Sequence, residues 1–233
     1  MIPIMMPCRS SMLSQPLRYC AVFFAFLFLG GSSFLTAQIA SEVTINKIEV
    51  QFVNSPQING GLLKPEPSPN RKWLEVEVIF HWQPPPTVTE FYTDELTVNY
   101  YVLLKNEGPK YPRGTLLTGS TALATVPSRH LDPSYENLKT VIYVSPRTLE
   151  KFFTKKEAVF AGKVPDFVGS AIIDIGVVIS KQGQVVVQRS LHGQNQAWWP
   201  QFQEVRGYIL NKSETPFAHL YSGYYEAELA KKQ

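Results

Sequence analysis

The strongest constraint on this chain is an alternation of apolar and polar residues with a period of two. Leu74, Val76, Val78, Phe80 and Trp82 fall on one side, with Glu75, Glu77 and His81 on the other. Leu96, Val98, Tyr100, Val102 and Leu104 repeat the pattern, with Glu95, Thr97 and Asn99 opposite. Successive side chains of a strand point to opposite faces, so each segment reads as a half-buried β-strand. Val43 to Val53 is a third strand. Its apolar parity switches between Ile45 and Ile48, which predicts a bulge near Asn46-Lys47.

Further extended segments are expected at Gly114 to Val126, Lys139 to Val144, Ala171 to Ile179, Val185 to Gln188 and Tyr208 to Leu210. Ala171–Ile179 and Val185–Gln188 flank a Gly183-containing turn and read as a hairpin. Asp174 and Gly176 interrupt the first of these runs, so uniform burial is not expected there. Ser145 caps one short helix, Pro146 suits its first position, and Arg147 to Phe153 continues it, with Leu149, Phe152 and Phe153 facing the core. Tyr224 to Lys232 has helical propensity. Proline punctuates the rest: Pro56, Pro65, Pro67 and Pro69 lie in a stiff connection from Asn54 to Arg71, and Pro84-Pro85-Pro86 ends the Trp73 strand. Many short strands, one helix and Pro-rich turns predict a mainly β fold: an antiparallel, immunoglobulin-like β-sandwich with long loops. No internal repeat divides the chain.

The N-terminus reads as a secretory signal peptide over residues 1–37. Arg9 and Arg18 supply positive charge, Tyr19 to Leu29 is unbroken apolar sequence, and Leu35-Thr36-Ala37 offers a cleavage site before Gln38. Met12 is an alternative start to Met1. The apolar run is about half of the roughly 20 residues that span a bilayer, so membrane contact is expected only through an uncleaved leader. Export to the periplasm, the outer membrane or the cell surface follows, with residues 38–233 as a single mature domain. Both cysteines of the sequence, Cys8 and Cys20, fall in the leader. The mature chain therefore has no disulfide, thiolate metal site or cysteine nucleophile. Without Arg9 and Arg18, the 22 basic residues fall to 20 against 19 acidic ones. That balance speaks against nucleic acid, which demands a basic stripe.

Side chains that could carry chemistry are sparse. His81, His130, His192 and His219 show no metal-ligand spacing. Ser190-Leu191-His192-Gly193 lacks the strand–turn–helix context of a nucleophile, and no phosphate-binding glycine loop occurs. Glu90, Asp94 and Glu95 could supply a glycosidase acid pair, although such carboxylates are common on solvated strand ends. Catalytic, cofactor and metal residues are therefore none. Trp198, Trp199 and Phe202, with Tyr221, Tyr224 and Tyr225, are the candidate interaction surface. Aromatic rings there could stack on sugar or peptide, or they could pack beneath loops.

WLEVEVIFHW (Trp73 to Trp82), DELTVNYYVLL (Asp94 to Leu104), YVSPRTLEKF (Tyr143 to Phe152), the Trp198-Trp199 pair and GYILNKSETPFAHLYSGYYEA (Gly207 to Ala227) together resemble a family. It is the secreted, pilus-like, immunoglobulin-like Amuc-type family of Verrucomicrobia known from Akkermansia. The resemblance covers most of residues 38–233, apart from the N-terminal Pro-rich loop and Pro84 to Pro86. It implies a β-sandwich, export and association with a type IV pilus-like assembly; it carries over no catalytic residue. Three functions are then in view. The first is a non-enzymatic structural or interaction protein of the bacterial envelope, with assembly proteins or a second copy as partner. The second is a carbohydrate-binding module using Trp198 and Trp199. The third is a secreted hydrolase.

Overall fold

Alternation becomes strands, in chain order β1 (Val43–Asn54), β2 (Lys72–Trp82), β3 (Tyr92–Thr93), β4 (Leu96–Leu104), β5 (Thr115–Ala122), β6 (Val126–Pro127) and β7 (Leu138–Val144). The helix α1 (Pro146–Phe152) follows, then β8 (Ile172–Lys181), β9 (Gln184–Ser190), β10 (Glu204–Arg206) and β11 (Ile209–Asn211). The computed structural model describes residues 42–56, 72–105, 113–152, 171–193, 196–220 and 223–226. All of these belong to one unit, Gln38–Gln233. The leader, Phe153, most of the connection to Arg71 and residues 227–233 lie outside the described residues.

The strands form one sheet in the order β1-β2-β7-β11 and a second in the order β10-β5-β4-β8-β9, with β3 and β6 as a small separate pair. Their ladders are antiparallel except β5 with β10. The inward residues Leu74, Val76, Val78, Phe80 and Trp82 of the first sheet and Leu96, Val98, Tyr100, Val102 and Leu104 of the second are all fully buried. They share one core with Ile142, Val144, Ile175, Val177, Ile179 and the helix residues Leu149 and Phe152. The fold is a β-sandwich with one short helix. Tyr100 crosses the core, its hydroxyl 3.0 Å from the Thr140 hydroxyl of the opposite sheet.

Local signals set the details. The register of β1 on β2 slips between Ile45 and Lys47, so the predicted bulge is present, with Asn46 as the extra residue. The β8–β9 turn places Gln182 (φ 50°) and Gly183 (φ 78°) in the left-handed region, as a two-residue primed turn requires. Glu95 holds the turn by accepting from the Gln182 side chain at 2.8 Å. Ser145 caps α1 by accepting from the Thr148 N–H at 3.2 Å.

Three expectations are corrected and one element is added. The long extended stretch to Val126 is two strands, broken where Thr125 takes φ 53° and its N–H donates to the Asp94 carboxylate. A short strand at Glu204–Arg206, unforeseen because three residues show no periodicity, adds to the edge of β5. Tyr224 and Glu226 are extended rather than helical, bridged to Lys139 and Leu123, because closure of the sandwich overrides weak helical propensity. Lastly, Glu75 and Glu77 are buried rather than solvated. Phe217 and Tyr224 fold back over that outer face, where Phe217 joins Val141 and Tyr143.

Candidate interaction surfaces

The described candidate aromatics do not share one surface, because the two outer faces of a sandwich look in opposite directions. Trp198, Trp199 and Phe202 cover the outer face of the second sheet with Leu103, Leu116 and Val178. Trp199 is 7 % exposed and stacks on Tyr101 with ring centroids 4.7 Å apart and planes 13° from parallel. Its indole lies over Gly176, where a Cβ would stand 2.4 Å from the ring. The glycine that interrupts the apolar run is therefore the floor on which Trp199 rests. Trp198 is half-buried and packs edge-on against Trp199 at 5.5 Å and Phe202 at 5.9 Å. The pair forms a cover for the sheet, not an exposed stacking platform.

Tyr224 belongs to the other outer face. Its hydroxyl donates to Glu77, which also pairs with Lys139 at 2.8 Å. Glu75 accepts from Gln51. This network explains how two carboxylates are tolerated under cover: each has a hydrogen-bond partner. Burial, then the neighbouring Glu75 and Glu77, push the Tyr143 hydroxyl well above its ordinary pKa. Tyr225 packs at the margin of the central core. Its pKa is raised by burial and by the nearby Tyr135 and Tyr92. Tyr221 lies outside the described residues.

The acidic trio is divided by its contacts. Asp94 holds Thr125, Glu95 holds the β8–β9 turn, and Glu90 is exposed. The histidines are separated too: His81 meets Asn46 at 3.2 Å, His130 meets the Pro84 carbonyl at 2.9 Å, and His192 meets the Ile173 carbonyl at 3.3 Å. Burial and the Arg129 guanidinium lower the pKa of His81 against an opposing pull from Glu136.

Two surface features stand out that the sequence did not single out. The first is an aromatic end. Tyr92 pairs with Pro127, Phe91 accepts a backbone hydrogen bond from Ser128, and Ser128 accepts one from Leu131. These ties bring Phe91 and Tyr92, at the start of β3, close to the loop that carries Leu131; the three are 50 %, 51 % and 41 % exposed. Glu90, Asp94 and Glu95 beside them are exposed. The second is a cleft of about 370 Å³ beside β10. A Phe-Tyr dipeptide before a short strand was the available signal for the first; the cleft is made by chain crossing and left none.

A family model matches residues 35–232 of the chain. A crystal structure of a protein from Akkermansia muciniphila is 25 % identical, with a TM-score of 0.59, over 81 % of this chain and 93 % of that one. A search of curated proteins finds no match. The chain belongs to the Amuc-type, immunoglobulin-like family of Verrucomicrobia known from Akkermansia.

Proposed function

We propose that this protein is an exported, non-enzymatic interaction protein of the bacterial envelope, which docks to a pilus-like assembly through the aromatic end formed by Phe91, Tyr92 and Leu131. The observation that carries this reading is the clustering there of half-exposed apolar side chains on hydrogen-bonded loops. A soluble protein gains nothing from such a patch, whereas aromatic anchors supply most of the affinity at interfaces. The exposed Glu90, Asp94 and Glu95 around it suit a partner whose own apolar face is rimmed by Lys or Arg. Family membership supports the reading, since the family is not a known family of enzymes.

The test is photo-crosslinking in the native cell, with a photoreactive residue placed at Tyr92 or, as a control, at Ile173, which is 42 % exposed at the opposite end of the β4–β8 ladder, where Ile172 pairs with Leu104. The expected result is one discrete crosslinked envelope partner from Tyr92 and none from Ile173. Recovery of only uncrosslinked monomer from Tyr92, or the same products from both positions, refutes the proposal.

A further inference from the structure

The cleft beside β10 is an open notch lined by residues of β4, β5 and β10 with Gly207 and Ile209. It arises from chain crossing. The strand β10 pairs with β5 only at Leu116 to Thr118. The chain then leaves the sheet at Gly207, whose φ of 82° admits a turn that most residues resist. It reaches the opposite sheet as β11, which pairs with β7. The edge of β5 beyond Thr118 is thereby left beside a notch.

The notch is rigid on each side. Ile209 closes its floor: a Cβ on Gly119 would stand 2.6 Å from that of Ile209. Farther along β5, outside the lining, Thr121 donates to the Asn211 side chain at 2.6 Å and ties β5 to β11. The Tyr101 ring in its wall is held by the Trp199 stack. Arg206 and Glu204, at the rim, are joined by two hydrogen bonds of 3.1 and 2.8 Å.

We propose that this notch binds a neutral saccharide, the size of a mono- or disaccharide. Its volume of about 370 Å³ lies toward the small end of ligand pockets, roughly 300–1,000 Å³. Its lining mixes polar groups with apolar surface and carries no net charge. Asn99, Thr118, Ser120 and Tyr101 present an amide and hydroxyls, and Arg206 is balanced by Glu204. A polyol supplies donors and acceptors in equal measure, which such a lining satisfies. The paired guanidinium and carboxylate offer a planar double donor and a double acceptor to adjacent hydroxyls. An anionic ligand would find its one cation already neutralised. An apolar ligand would leave these polar groups unsatisfied. The site is separate from the aromatic end, so either assignment stands if the other fails.

The test uses the whole exported chain with lactose, cellobiose, maltose and chitobiose as neutral probes and 3′-sialyllactose as the anionic one, read by saturation-transfer NMR and titration calorimetry. At least one neutral disaccharide is expected to bind. Arg206→Ala should weaken it at least about tenfold, the loss expected when a charged hydrogen-bond partner is removed. Ser120→Trp, which fills the notch from an exposed position, should abolish binding without lowering the melting temperature. Absence of saturation transfer from every disaccharide, binding that survives Ser120→Trp, or tighter binding of 3′-sialyllactose than of lactose each overturns the proposal.

Discussion

Gly176→Ala should destabilise this protein through a single contact. The added Cβ would lie 2.4 Å from the Trp199 ring, well inside van der Waals distance. The neighbour is a broad ring held against Tyr101, Leu103, Leu116 and Val178, so it has little freedom to yield. If the indole left entirely, the roughly 150–250 Å² an aromatic side chain buries, at about 25 cal/mol per Å², would forfeit about 4–6 kcal/mol. That is the ceiling. A sideways shift of the ring, as in other over-packed cores, costs roughly 1–3 kcal/mol, and this is the expected loss. In a Trp199→Ala background the clash is gone. Gly176→Ala should then stabilise by about 0.5–1 kcal/mol, because alanine has less backbone freedom to lose than glycine. The two sites should therefore couple by about 1.5–4 kcal/mol. The assay is urea unfolding of the four proteins of the cycle, followed by far-UV circular dichroism so that loss of an indole does not distort the signal. Equal destabilisation in both backgrounds, with coupling below the roughly 0.5 kcal/mol scatter of independent sites, would refute the idea that Gly176 is there to seat Trp199.

The remaining predictions concern hydrogen bonds, protons and the opposite edge. Burial raises the Tyr100 pKa above its ordinary 10.0, so the folded state holds this proton more tightly than the unfolded chain. Its contribution is present below pH 10 and is lost as pH rises from there toward the folded-state value; Tyr100→Phe should flatten that alkaline fall in melting temperature. The same substitution leaves the Thr140 hydroxyl without Tyr100 and should cost about 1–2 kcal/mol near neutral pH, measured by denaturant unfolding. For His81 the folded pKa is lowered from 6.5. Its contribution is thus present above that value and lost as pH falls toward the folded pKa, and NMR titration of the ring should give a midpoint below 6.5. Arg189 donates to the carbonyls of Ile45 and Asn46 at 2.6 and 3.0 Å, pinning β9 across the bulge of β1. Arg189→Ala should cost about 1–2 kcal/mol and expose a strand edge, seen as light scattering on incubation.

How much was legible in the sequence differs from element to element. The strand Leu74–Trp82 was legible because alternation over a whole strand admits one burial solution for its inner face: a slip of one residue would expose every apolar side chain. The bulge at Asn46, the capped helix after Ser145 and the Gly183 turn were legible because each is written in a few adjacent residues. The opposite face of the same strand was not. Glu75 and Glu77 look solvated until Phe217 and Tyr224 fold over that face, and nothing near Glu75 in the chain announces either residue.

The surfaces follow the same division. Trp198, Trp199, Phe202, Tyr224 and Tyr225 were visible as aromatics, but a lone sequence does not say whether an aromatic is anchor or cover. Gly176 against Trp199 answers that for one of them, and it pairs residues far apart in the chain. The sequence by itself determined the long strands and their inner faces, because period-two patterning and local turn chemistry act between near neighbours. Tertiary structure alone decided that Trp199 covers a sheet, that Phe91, Tyr92 and Leu131 meet at one end, and that a polar notch opens where the chain crosses from β10 to β11. Each of these depends on segments distant in sequence coming together, and no local pattern encodes such a meeting.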